Sequence, residues 1–203
     1  MRSTQLAGRS VNVEPPPVLE LRGRSLIDFQ PQVATLIHAY KELGISALAN
    51  QFAVEMVPAA KQFAAGFNGP LHLVPVPSQP SSVMSRGYSP AGLIVSNLLK
   101  ALEPRFGFSS RKFFSGERLL RRKVETKDQA SLGQQDRLRN LQETMVASKK
   151  AIGKRVLLVD DIVTTGSSLL ESARALTEGG AEVLGFLTFA ETILRKNAKS
   201  VTR

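Results

Sequence analysis

Two adjacent carboxylates followed by a run of small hydroxyl-bearing residues form the segment of this sequence best suited to chemistry. Asp160 and Asp161 come directly after the apolar run VLLV, and the turn-like run Thr164 to Ser167 (TTGS) follows closely and leads into a helical pattern. Free backbone N–H groups and hydroxyls would then lie at the positive end of a helix dipole, where a phosphate group binds well. The segment therefore predicts a phosphate site beside two carboxylates.

Carboxylates next to such a turn would repel a bare phosphate, so the ligand must also offer hydroxyl groups or a divalent cation. A ribose 5-phosphate meets both demands, with its phosphate in the turn and its 2- and 3-hydroxyls at the carboxylates. The glycine-rich Gly-Lys-Ser/Thr run of a nucleotide-triphosphate loop is absent. The alternative is that these residues only cap the helix, which one Thr or Asp would achieve. The expected binding residues are Asp160, Asp161, Val163, Thr164, Thr165, Gly166 and Ser167.

The surrounding pattern predicts an α/β fold that places this segment at a sheet edge. Arg155 to Asp160 and Glu182 to Phe189 are apolar, strand-like runs, and the helical pattern Ser167 to Glu178 lies between them. Such a strand–helix–strand unit favours a mostly parallel sheet covered by helices on both faces. Further elements are expected as a strand at 71–77, short strands within 110–122, and helices beginning at Pro31, after Gly44 and within 86–102.

The string VLLVDDIVTTGSS resembles the ribose-phosphate signature of type I phosphoribosyltransferases. A wider resemblance, from about Phe29 to Thr188, is to the ComF family, phosphoribosyltransferase-like proteins associated in some bacteria with DNA uptake. The pieces that carry this wider resemblance are Ile37 to Lys41, Val74 to Pro77, Arg86 to Tyr88, Gln129, Leu132, Arg137 and Asn140. The resemblance implies the type I phosphoribosyltransferase fold with a flexible active-site loop.

The same resemblance implies two further groups of site residues. A loop after the strand at 71–77 would hold pyrophosphate through Ser78, Arg86 and Gly87. The polar stretch 122–135 would be the flexible loop, and basic residues in and beside it would stabilise the departing pyrophosphate. The catalytic candidates are Arg121, Arg122 and Lys127, while Gln129, Arg137 and Asn140 would position the loop or contact the acceptor. An ordinary surface arginine and a solvated basic loop are the alternatives.

The activity implied is a magnesium-dependent transfer of the phosphoribosyl group from 5-phosphoribosyl-1-pyrophosphate to a nitrogen acceptor, with release of pyrophosphate. Mg²⁺ would be held indirectly, through water, by Asp160 and Asp161. A non-catalytic sensor of nucleotide precursors, or a ComF-type role in DNA uptake, is the alternative.

The formal charge of +10 favours polyanions as partners of this protein. Aromatic residues at 6%, with no tryptophan, make a poor stacking platform for single-stranded DNA. Single-stranded DNA and a homodimer partner are left open.

Composition and the positions of proline, glycine and charged residues divide the chain into a flexible arm at 1–25, a phosphoribosyltransferase-like domain at 26–193 and a basic tail at 194–203. No apolar run long enough for a membrane span and no signal peptide is visible, so a cytoplasmic protein is expected.

The chain has no cysteine. It therefore lacks the four-cysteine zinc module with which many ComF-type proteins begin, and roles that depend on that module are not expected. Lys41, near a helix end, is assigned no function.

Overall fold

The computed structural model describes residues 9–13, 21–66, 69–102, 113–123 and 144–192. The strands are β1 (Arg9–Val13), β2 (Leu21–Asp28), β3 (Leu71–Pro75), β4 (Phe113–Ser115), β5 (Leu120–Arg122), β6 (Met145–Ala147), β7 (Arg155–Val163) and β8 (Glu182–Glu191). The α-helices are α1 (Pro31–Lys41), α2 (Leu48–Ala65), α3 (Pro80–Arg86), α4 (Pro90–Ala101) and α5 (Ser167–Glu178). Within these ranges no helix has the length and apolar character needed to cross a membrane.

A six-stranded sheet in the order β1-β2-β8-β7-β3-β4 forms the centre of the fold. The neighbours from β2 through β4 pair in parallel, and β1 pairs antiparallel with β2 at one edge. Parallel neighbours need crossover connections, and helices supply them here. The predicted α/β fold with a mostly parallel sheet is confirmed.

Both faces of the sheet are covered because successive side chains of a strand point to opposite sides. Leu157 and Val159 of β7 pack into one core cluster with residues of α1, α2 and α4. Val156 and Leu158 pack into a second cluster with residues of α5. A continuous apolar strand is therefore buried on both sides, as a central parallel strand must be.

Strand β1 and the beginning of β2 lie within residues 1–25, which the sequence predicts to be a flexible arm. Arg9–Val13 and Leu21–Asp28 are both in the sheet, and β2 pairs with the central strand β8. The sequence LRGRSLID looks irregular because two arginines and a glycine interrupt its apolar pattern. Gly23 is required by packing, since a Cβ there would lie 2.3 Å from the ring of Phe186. The pairing partner lies far along the chain, so local sequence gives no signal for it.

Two other elements differ from the sequence-based expectation. Strand β7 continues beyond Asp160 to Val163, because β8 pairs with it as far as Glu191. A short helix, α3, precedes the predicted helix α4 and ends at Gly87 with a left-handed φ of 77°. The expected short strands near 110–122 are present as β4 and β5.

A small antiparallel pair, β5 with β6, lies outside the main sheet. The Lys123 amide donates to the Thr144 carbonyl at 2.8 Å. The residues just before and just after the segment 124–143 are therefore close together. The predicted flexible loop falls almost entirely on residues between these two, which lie outside the described residues. The expected tail at 194–203 lies outside them as well.

Candidate active site

The carboxyl end of β7 delivers the predicted site segment to the edge of the sheet. Gly166 precedes α5 with φ 77°, a left-handed conformation that glycine adopts without strain, and Ser167 is the first residue of the helix. The hydroxyls of Thr165 and Ser167 lie 3.0 Å apart. Strand, turn and helix therefore follow in the order that a phosphate site at a helix N-terminus requires.

The backbone N–H groups of this turn remain available. Among the described residues, the one protein acceptor that contacts a turn amide is Thr165 Oγ1, which the Ser167 amide approaches at a long 3.4 Å. Thr164, Thr165 and Ser167 are exposed. Val163 is different, because its side chain is buried in the core and its carbonyl accepts from the Thr192 amide at 2.9 Å. The other amides of the turn, those of Thr164, Thr165 and Gly166, have no acceptor among the described residues and lie at the positive end of α5.

The two adjacent carboxylates have different environments. Asp160 keeps part of its surface exposed, and its Oδ1 accepts from the Asp161 amide at 2.9 Å. Asp161 is only 1% exposed, and its Oδ1 forms an ion pair with Lys41 Nζ at 2.9 Å. The Asp161 Oδ2 atom is buried and has no hydrogen-bond partner among the described residues. Asp160 is therefore the carboxylate that a ligand reaches directly, and the burial of Asp161 speaks against direct contact by that residue.

Electrostatics couples the two carboxylates. Burial raises the pKa of Asp160 well above the ordinary carboxyl range, the charge of Asp161 raises it further, and Lys41 partly offsets both effects. Burial, followed by the nearby charge of Asp161, also raises the pKa of Tyr40, which is fully buried. A polar partner or a cation at Asp160 would relieve part of this unfavourable charge.

Thr188 adds a hydroxyl group beside Asp160 that the sequence pattern did not indicate. It is the register partner of Asp160 on β8, so the two side chains point to the same face of the sheet. Its Oγ1 is buried without a hydrogen-bond partner in the described part of the chain. A threonine in an apolar strand is too common for sequence analysis to single out.

The predicted pyrophosphate loop begins next to the two carboxylates. The Val76 amide donates to the Val159 carbonyl at 2.9 Å, so the chain leaves β3 alongside the end of β7 and continues into Ser78. Arg86 ends α3, and its Nη2 atom donates to Glu42 Oε1 at 2.8 Å. The structure thus orients Arg86 through a carboxylate just beyond α1, which the sequence did not indicate.

Of the two basic catalytic candidates that the structure describes, Arg122 contacts the start of this loop. Its Nε donates to the carbonyl of Pro77 at 2.9 Å, directly before Ser78. Arg121 is exposed on the neighbouring position of β5. Lys127 lies outside the described residues, as do Gln129, Arg137 and Asn140.

Sequence reasoning missed the contacts that join the end of α1 to Asp161 and to the residues around the start of α4. The Tyr40 hydroxyl donates to the Pro90 carbonyl at 2.7 Å, and the Tyr88 hydroxyl donates to the Tyr40 carbonyl. Lys41, at the end of α1, forms an ion pair with Asp161. The available signal was the run Ile37 to Lys41, which belongs to the wider family resemblance but carries no chemistry by itself.

The donor set fits a magnesium ion only as part of a bound substrate. Among the described residues, no group of three or more His, Asp or Glu side chains could hold a metal ion. Mg²⁺ prefers octahedral oxygen ligands and keeps several waters, so the remaining ligands would be water and substrate oxygens. Asp160, which is partly exposed, is the residue that would hold it through water, whereas Asp161, predicted for the same role, is buried against Lys41.

We expect Gly166→Ala to weaken binding of ribose 5-phosphate about tenfold. A residue with a Cβ at φ 77° costs roughly 1–2 kcal/mol, and relief of that strain would turn the neighbouring amides away from the phosphate. Gly153→Ala is the matched control, because Gly153 has φ 68° and nothing lies within 4 Å of a Cβ at that position, away from the turn. Calorimetric titration and thermal unfolding of both variants measure this. Equal affinities for the two variants would contradict the expectation.

The sequence of this chain is similar to the sequences of several known proteins. A family model described as the phosphoribosyl transferase domain matches residues 82–201. The DNA utilization protein YhgH of Escherichia coli K12 is 27% identical over 185 residues, which cover 89% of this chain and 75% of that protein. The orotate phosphoribosyltransferase of Pyrococcus furiosus is 49% identical over 39 residues, which cover 19% of this chain and 21% of that protein.

Solved phosphoribosyltransferase structures also align with the chain. A hypoxanthine phosphoribosyltransferase from Staphylococcus aureus aligns with a TM-score of 0.43 and 14% identity, covering 78% of this chain and 71% of that one. A phosphoribosyltransferase from Corynebacterium diphtheriae aligns with a TM-score of 0.41 and 17% identity, covering 80% and 94% of the two chains.

The family match spans more than half of the sequence and includes β7, the turn and α5. The recognition of a phosphoribosyltransferase-like protein from the VLLVDDIVTTGSS string is thereby confirmed. The chain belongs to the phosphoribosyl transferase domain family.

Proposed function

We propose that this protein binds 5-phosphoribosyl-1-pyrophosphate and transfers its phosphoribosyl group to a nitrogen acceptor. The observation that carries the proposal is the juxtaposition of a partly exposed Asp160 with the turn at the start of α5, where Thr165 Oγ1, at 3.4 Å from the Ser167 amide, is the one acceptor that the described residues offer to a turn amide. A ligand with a phosphate on one side and hydroxyls on the other matches both features. Membership in the phosphoribosyl transferase domain family supports the same ligand.

In the proposed complex, Thr164 to Ser167 hold the 5-phosphate and Asp160 accepts hydrogen bonds from the ribose hydroxyls. The nitrogen of the acceptor forms a bond to the anomeric carbon, and the bond from that carbon to the pyrophosphate oxygen breaks. Pyrophosphate leaves with the bonding electron pair, and the acceptor nitrogen loses its proton. Positive charge on the ribose ring grows during this step, and Asp160 stabilises it electrostatically.

The pyrophosphate leaving group would lie along the loop that follows β3. Ser78, Arg86 and Gly87 would bind it, and Arg122 lies at the start of that loop through its bond to Pro77. Arg121 and Lys127 would add positive charge as pyrophosphate departs. Magnesium, when bound, neutralises charge on the pyrophosphate oxygens.

Titration calorimetry of the wild-type protein with 5-phosphoribosyl-1-pyrophosphate and Mg²⁺ tests the binding. Release of pyrophosphate in the presence of purine, pyrimidine or amine acceptors tests the transfer. Binding with pyrophosphate release supports an enzyme, and binding without release from any acceptor would favour a sensor of nucleotide precursors. No heat of binding at millimolar ligand would end the proposal.

Chelation of magnesium with EDTA should lower the affinity for 5-phosphoribosyl-1-pyrophosphate at least about tenfold. The pyrophosphate would then approach two carboxylates without a divalent cation to offset its charge. Inorganic phosphate in the turn is the internal control, because its binding depends on α5 and should change little. An unchanged affinity for 5-phosphoribosyl-1-pyrophosphate in EDTA would contradict the proposed role of magnesium.

A role in handling DNA is the second candidate function. It is supported by the 27% identity to a protein named for DNA utilization over most of the chain. The formal charge of +10 is compatible with a polyanionic partner. An affinity for single-stranded DNA that falls steeply with salt, and that Asp160→Asn leaves unchanged, would support this candidate.

A further inference from the structure

The end of α1 contacts two separate parts of the candidate site. Lys41 pairs with Asp161 on β7, and the next residue, Glu42, pairs with Arg86 at the end of α3. The Tyr88 hydroxyl also donates to the carbonyl of Tyr40. The end of this helix is therefore fixed against the site from several directions, so the position of Lys41 is well determined.

The ion pair between Lys41 and Asp161 joins a partly exposed side chain to a buried one. The side chain of Asp161 is 2% exposed, whereas that of Lys41 is 28% exposed. Among the described residues, Lys41 provides the only cation within ion-pair distance of the Asp161 carboxylate. A buried carboxylate held by a single cation has its orientation set by that cation.

Asp161 is in turn connected to the carboxylate that a ligand can reach. Its backbone amide donates to Asp160 Oδ1 at 2.9 Å. Asp161 thus links the two partners, because its carboxylate contacts Lys41 and its amide contacts the Asp160 carboxylate. Lys41 also offsets one of two adjacent negative charges, which would otherwise repel each other at short range.

We infer that Lys41 is a positioning residue of the active site, which acts through Asp161 to orient Asp160 toward the ribose of the bound ligand. The inference rests on the proposed function, since it assigns the orienting contact of the same site. Partners that orient the groups in direct contact with a ligand affect binding strongly, with typical losses of about 10- to 100-fold when they are removed.

The first measurement is the affinity of Lys41→Gln for ribose 5-phosphate. We expect a loss of about tenfold or more, while the affinity for inorganic pyrophosphate changes less than about twofold. Lys41→Arg should restore most of the affinity because it keeps the charge. Glu182→Gln is the matched control. It removes the ion pair between Glu182, the first residue of β8, and Arg155, the first residue of β7, at the far end of these strands from the site. The Glu182 side chain is 59% exposed.

The second measurement separates a positioning role from direct contact and from a general loss of structure. The double variant Lys41→Gln with Asp161→Asn leaves no unpaired charge in the buried position, so it folds even if the single Lys41 variant does not. If Lys41 acts through Asp161, the double variant binds ribose 5-phosphate as weakly as Asp161→Asn alone. A double variant whose loss of affinity equals the sum of the two single-variant losses would overturn the inference. That result would show that Lys41 affects the ligand independently of Asp161.

The outcomes for the two proposals are distinguishable. Wild-type protein that binds neither ribose 5-phosphate nor 5-phosphoribosyl-1-pyrophosphate would overturn the proposed function and, with it, the role of Lys41. Normal binding by the wild type together with unchanged binding by Lys41→Gln would overturn the role of Lys41 alone.

Discussion

Asp160→Asn is expected to lower the affinity for 5-phosphoribosyl-1-pyrophosphate by about 100-fold or more, which corresponds to about 2.7 kcal/mol. The carboxylate would accept hydrogen bonds from ribose hydroxyls, and such charge-assisted bonds contribute roughly 1.5–3 kcal/mol each. Asparagine keeps one acceptor oxygen but carries no charge to balance the positive ribose ring. The fold should be unharmed, because burial and Asp161 already disfavour the charged form of Asp160.

The matched control for this variant is Asp28→Asn, at the last residue of β2 and at the same edge of the sheet. It removes a carboxylate of the same type outside the signature segment. Titration calorimetry gives the affinities, and thermal unfolding shows whether both variants remain folded. A loss below about threefold for Asp160→Asn would contradict the assigned role, as would an equal loss for Asp28→Asn.

Gly185→Ala is expected to reduce the free energy of unfolding by about 3 kcal/mol or more. Gly185 has φ 148°, and a Cβ there would lie 2.4 Å from the carbonyl oxygen of Arg22 and 3.2 Å from the ring of Phe63. The backbone of β2 cannot give way without losing its pairing with β8, so overpacking and backbone strain both contribute. For a chain of this size the melting temperature should fall by roughly 6–12 °C.

Gly44→Ala separates the two causes of that loss. Gly44 also has a positive φ, 68°, but nothing lies within 4 Å of a Cβ at this position. Strain alone should cost it roughly 1–2 kcal/mol. Chemical denaturation of both variants gives the comparison, and equal stabilities would show that the close approach of β2 to β8 is unimportant.

The strand–turn–helix unit from Arg155 to Glu178 could be predicted because each of its signals is local. An apolar run, a glycine in the turn and a helical repeat all lie within a short stretch, and β7 and α5 follow that pattern. The sequence pattern also predicted the turn at the start of α5. The residue-by-residue roles in binding stay predictions.

The parts that could not be predicted depend on contacts between distant residues. Strand β2 exists because β8 pairs with it, and its own sequence alternates poorly. Lys41 and Asp161 are 120 positions apart, so only the packing of α1 on the sheet brings them together. The different environments of Asp160 and Asp161 likewise follow from strand direction and helix packing, whereas the sequence presents two identical neighbours.

The position of β3 between β7 and β4 limits how the protein can be shortened for expression. Residues 82–201, the region that matches the domain family, contain the phosphate turn but begin after β3. A fragment cut at those limits would expose both long edges of the β7–β8 pair and leave β4 without its neighbour. Unpaired strand edges invite aggregation, so well-behaved protein is best sought from clones that start ahead of Leu21.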